Sequence, residues 1–229
     1  YPYELQLQVE QSEDFIRPAL AANFFFNYPK GGGLQARFFA GKFIYIGEKT
    51  FAKQFATSRY HLNMTGANGY EDYTYSDLFI GRNRFEGFAS QQIMIRDGGF
   101  KVRTDLLAEK VGRTDDWLMA VNFSSSVPQK MNPLSVLPVK IPLHVYLDIG
   151  THAAVWERNA TDDRFLFNAG FHLPFFDGMF NLCIPVLYNS VYGDYFKSTI
   201  TGSRFLKTMS FSINLDTDIF KRFNREAEF

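Results

Sequence analysis

The chain has one cysteine, Cys183, in 229 residues. That excludes an intramolecular disulfide framework and any CxxC-type zinc or redox site. An excess of one charge is also missing: 24 Lys and Arg balance 24 Asp and Glu, for a net charge of zero and a pI near 7.1. A nucleic-acid binder normally carries a basic surplus to neutralise phosphates, so no nucleic-acid partner is expected. No stretch approaches the ~18 consecutive apolar residues that a membrane-spanning helix needs. Catalytic signatures are absent as well, with no H-E-x-x-H, G-x-S-x-G, Walker loop or G-x-G-x-x-G. The four histidines, His61, His144, His152 and His172, lack metal-ligand spacing along the chain, so this segment is expected to hold no metal, no cofactor and no catalytic residue. The start at Tyr1, without Met or a signal-like apolar region, reads as a mature or truncated piece of a longer protein.

What the chain has is aromatic side chains, 17% of the residues with 26 Phe and 12 Tyr, at a mean hydropathy of only −0.18. The two facts coexist when apolar and polar residues alternate, and period two is the dominant pattern. In residues 142–150, Leu143, Val145, Leu147 and Ile149 alternate with His144, Tyr146, Asp148 and Gly150. Residues 164–174 and 180–188 repeat the pattern around a Phe175-Phe176-Asp177-Gly178 hairpin link. Residues 20–28 and 34–46 do so around Pro29-Lys30-Gly31-Gly32-Gly33. Further strands are predicted at 3–10, 54–64, 73–80, 117–127 and 205–215, about ten in all. Only 104–111 reads as helical. Residues 81–116 form a long loop with two glycine-centred clusters, and 216–229 a short charged tail on the periplasmic side.

Many of these strands are 9 to 13 residues long, the length a tilted strand needs to cross a bilayer. Tight turns at 29–33 and 174–178 alternate with longer polar connections at 152–163 and 189–203, as in an outer-membrane barrel. Tyr28, Tyr45, Trp117, Trp156, Tyr188 and Tyr192 fall near strand ends, where aromatic girdles meet the interface. The expected fold is an all-β, antiparallel, up-and-down transmembrane β-barrel over residues 1–215, with a lipid bilayer as partner. Alternation alone also suits a soluble all-β binding domain, which stays open at this point.

The last hundred residues resemble the C-terminal end of the bacterial surface antigen superfamily, barrels of the BamA and TamA type. The motifs that carry this are ordered. Residues 78–88, with Arg82, Arg84, Phe85, Glu86, Gly87 and Phe88, look like a strand end followed by the family's R-G-aromatic loop tip. Gly98-Gly99, then 117–128, then the aromatic-x-D-x-G motif Tyr146-Leu147-Asp148-Ile149-Gly150 follow in order. The final run carries Met209, Phe211, Ile213 and Leu215 on its seam face.

The resemblance implies the C-terminal portion of a sixteen-stranded barrel in the outer membrane of a Gram-negative bacterium. It implies a loop that folds into the lumen and gives a cation to the D-x-G aspartate. Glu86 stands where the family has its arginine, so Arg82, Arg84 or Arg103 is expected to pair with Asp148. Three functions follow as expectations. The first is insertion or translocation of client polypeptides, with the last-strand edge as a template for strand addition. The second is anchoring an upstream domain of the same chain, such as a zinc metallopeptidase. The third is the soluble binding domain.

Overall fold

The computed structural model describes residues 2–49, 60–66, 88–103, 111–138 and 141–214. The predicted strand at 73–80, the predicted helix apart from Val111, and the charged tail lie outside them. The fold is all-β and antiparallel. In chain order the strands are β1 (Tyr3–Gln11), β2 (Phe15–Asn27), β3 (Gly33–Lys42), the short β4 (Ile44–Tyr45), β5 (Leu62–Asn63) and β6 (Arg113–Thr114), then β7 (Trp117–Ser126), β8 (His144–His152), β9 (Leu166–Phe175), β10 (Phe180–Tyr188) and β11 (Ser210–Ile213). One sheet runs β1-β2-β3-β7-β8-β9-β10-β11, with β4 beside β2, and β5 pairs β6 separately. Among the described residues β1 and β11 end the sheet, and no pairing joins them into a barrel.

The two faces are unequal. On one, Leu7 is 71% exposed, Val145 45% and Leu187 63%, and Phe24, Phe26, Phe167 and Phe171 are exposed with them. The other is covered by the chain between β4 and β7. Leu62, Met64, Phe100 and Val102 from that connection pack against Phe39, Leu118, Ala120 and Leu166 of the sheet. Here we call these the open and the packed face. Glycine makes the close approach possible: a Cβ on Gly150 would lie 2.3 Å from the Met64 sulfur, and one on Gly41 3.1 Å from Leu62.

Several expectations change at the element ends. The final strand is shorter than 205–215, because Arg204–Thr208 forms helix α2 and only Ser210–Ile213 pairs. The polar connection after β10 also contains a helix, α1 (Ser190–Thr199), whose Tyr192 and Phe196 are buried in the core. Tyr192 is therefore a packing residue and not part of an interfacial girdle, and burial pushes its hydroxyl well above its ordinary titration range. Loop asymmetry is also less clean than predicted. Three long connections, 46–112, 153–165 and 189–209, share one end of the sheet with the short 12–14 turn, while the 127–143 connection lengthens the opposite end. Within β10 the register slips between Pro185 and Leu187, a bulge that admits a proline which cannot donate to the ladder.

Candidate functional site

The packed face carries one lateral row of polar residues at a single register. Glu4 is opposite Asn23, Asn23 opposite Arg37, Arg37 opposite Asn122, Asn122 opposite Asp148, and Asp148 opposite Asn168. Six strands thus contribute one rung each. Side-chain hydrogen bonds link much of the row: the Asn23 amide donates to Glu4 at 3.3 Å, Arg37 Nη1 to Asn122 Oδ1 at 3.0 Å, and Asn122 and Asn168 to Asp148 at 3.0 and 3.2 Å.

Asp148 is the centre of this row and is fully buried. A buried carboxylate needs a cation and filled lone pairs, and the loop above the sheet supplies both. Lys101 Nζ donates to Oδ1 at 2.7 Å and the Lys101 backbone N–H to Oδ2 at 2.9 Å. With the two asparagines, four donors meet two oxygens. The ammonium also lies 4.9 Å over the Tyr146 ring, a cation–π contact, and the Lys101 carbonyl accepts from Ser210 Oγ at 2.6 Å. The loop reaches this depth through Gly98-Gly99: Asn122 Nδ2 donates to the Gly98 carbonyl at 2.9 Å. Gly99 has φ +66°, and a Cβ there would fall 2.6 Å from Arg37 Nη1.

Of the residues singled out in the sequence, Tyr146, Asp148 and Gly150 are all buried on the packed face of β8. The loop cation is Lys101, and not Arg103, whose Nη1 is directed at the Lys207 carbonyl 3.4 Å away. Arg82, Arg84, Phe85, Glu86 and Gly87 lie outside the described residues, as does Leu215. Phe88 is far from Asp148 in role: its ring stacks on Phe211 at the sheet edge, centroids 4.4 Å apart. Met209 precedes β11, while Phe211 and Ile213 belong to it. Lys101, Arg37, Asn122 and Asn168 are not among the site residues expected from the sequence. The three strand residues carry a signal, polar side chains in mid-strand on the face that alternates with Phe, Leu and Val. Lys101 carries none, since it stands in a loop, two residues beyond a glycine pair.

No group of His, Cys, Asp and Glu fit to hold a metal occurs among the described residues. His144 and His172 face each other across β8 and β9 with ring centroids 5.5 Å apart, and His172 Nε2 bonds Asn181 Oδ1 at 2.9 Å. A cavity of about 720 Å³ lies over β1 and β2, lined by Gln6, Gln8, Glu10, Arg17, Asn23 and Arg96. No family model, no curated protein and no solved structure matches the chain.

Proposed function

We propose that this sheet is the wall of an outer-membrane β-barrel of the polypeptide insertion or translocation type, with its open face in lipid and its packed face toward the lumen. The observation that carries the reading is an exposed apolar face set against a buried polar row. A Lys–Asp ion pair and asparagines are buried beside the apolar cluster and a hydrogen-bonded guanidinium is half-buried, while rows of Phe, Leu and Val are exposed on the other face. Water rewards the opposite arrangement, whereas hydrocarbon accepts this one. The polar cavity beside β1 and β2 agrees with a wet interior.

The insertion part rests on the edge. Strand β11 covers β10 only from Phe180 to Cys183, so among the described residues the Ile184–Tyr188 half of β10 has no strand on that side. A thinly paired seam is what strand addition to an edge requires. One feature favours the anchor reading: Asp148 bolts the loop to the wall, and a static plug suits a tether better than a passage.

The test uses the full-length protein in phospholipid vesicles presented with an unfolded outer-membrane barrel as client. Faster client folding than in protein-free vesicles is the expected result. Stable membrane integration without acceleration would leave the anchor, and a protein that stays in the supernatant without detergent would overturn the membrane reading altogether.

A further inference from the structure

The chain that covers the packed face also passes around the edge of β11. In β11, Ser210 reaches Lys101 and Ser212 lines a pocket with it, so both point to the packed face. By the two-residue period Phe211 and Ile213 point to the open face. The Phe88 ring lies parallel to Phe211, 8° between planes, and Phe211 in turn stacks on Phe180 at 5.7 Å. Stacked on Phe211, Phe88 lies on the open face, where it is 59% exposed. Thirteen residues later Lys101 is buried on the other side. Between them the chain holds the rim. Gln91 Nε2 donates to the carbonyls of Leu206 and Met209, both at 2.7 Å, Gln92 bridges Phe211 in parallel pairing, and the Ile93 N–H donates to the Phe211 carbonyl at 2.8 Å.

Resting on the insertion reading, we infer that residues 88–93 are a displaceable clasp on the receiving edge of β11. The clasp occupies the place of a strand without being one: among the described residues it meets β11 through one bridge and one ring stack and is tied by Gln91 to the residues before it, where an added strand would pair along the whole edge. What it occupies defines what replaces it. The incoming partner is an extended segment of unfolded polypeptide whose backbone N–H takes over the Phe211 carbonyl. It carries an aromatic side chain on the open side, which replaces Phe88 in the stack. The clasp keeps an otherwise sticky edge closed until such a segment competes it away.

The experiment uses the full-length protein in vesicles, with Gln91→Cys and Met209→Cys joined by a short cleavable crosslinker in a Cys183→Ala background. The probe is a synthetic peptide alternating phenylalanine and serine and bearing a benzophenone. With the linker intact, photocrosslinking to β11 is expected to vanish, and cleaving the linker is expected to restore it. Linked and cleaved samples are one folded preparation, so misfolding cannot imitate this result. Separately, Gln91→Ala is expected to raise the yield several-fold over the unsubstituted protein. Equal yields in linked and cleaved samples would overturn the clasp while leaving insertion intact. No crosslinking in any sample, cleaved and Gln91→Ala included, would overturn the insertion reading and the clasp with it.

Discussion

Asp148 holds a full charge away from water because each of its oxygens receives two donors, and only one of the four is an ammonium. Removing that ammonium leaves a carboxylate that the amides solvate but do not neutralise. Lys101→Met is expected to cost about 3–5 kcal/mol, the usual penalty for orphaning one member of a buried pair. Lys101→Met combined with Asp148→Leu is expected to cost clearly less, read from urea titration of the protein in detergent. Gly150 is constrained by shape instead. Gly150→Ala drives a methyl into the Met64 sulfur and is expected to cost about 1–3 kcal/mol as overpacking. Met64→Ala in the same chain should recover part of that loss in the same titration. At this scale Asp148, Tyr146 and Gly150 were legible as the second half of the alternation with Val145, Leu147 and Ile149, in the order of the aromatic-x-D-x-G motif. Their cation was not, since it comes from a loop 47 residues earlier, a distance no local period encodes.

Strands were the most legible elements where one face is continuous. Residues 142–150 and 180–188 were placed within two residues of β8 and β10, and 3–10 within one of β1, because alternation and the flanking Gly, Pro and Asp agree there. The final strand begins five residues later than the alternation over 205–215 predicts. Phe205 and Leu206 alternate acceptably with their neighbours, yet the segment turns helical and leaves both rings and branches exposed. Likewise 189–203 read as a polar loop, although Tyr192 and Phe196 lie four apart, the spacing that puts one helix face into the core. The open face of β8 offers a test of what surrounds it. Leu147→Arg points a cation outward from mid-strand; in a bilayer this is expected to cost about 2–4 kcal/mol, against a few tenths for an exposed site in water. Comparing unfolding of the variant from vesicles with that of Ser124→Arg, on the packed face, separates lipid exposure from general intolerance to charge. Lipid is supported if Leu147→Arg is the worse of the two.

For the whole molecule, the polar row fixes the register of the sheet. A slip of one residue between β7 and β8 or between β8 and β9 would send a buried polar group to the open face and an apolar one to the packed face. Asn122→Leu, which breaks the row at its middle rung, is expected to broaden the folded population into more than one gel-mobility form before it lowers stability much further. A single sharp band would show that the apolar pattern alone holds the register. The row also has an order in time. Lys101 is synthesised before β7, β8 and β9, so its ammonium waits while Asn122, Asp148 and Asn168 are made on three successive strands. Its binding site comes into being only when those strands stand side by side. The ion pair is thus a coincidence detector: it closes once, late, and only over a wall assembled in the right order.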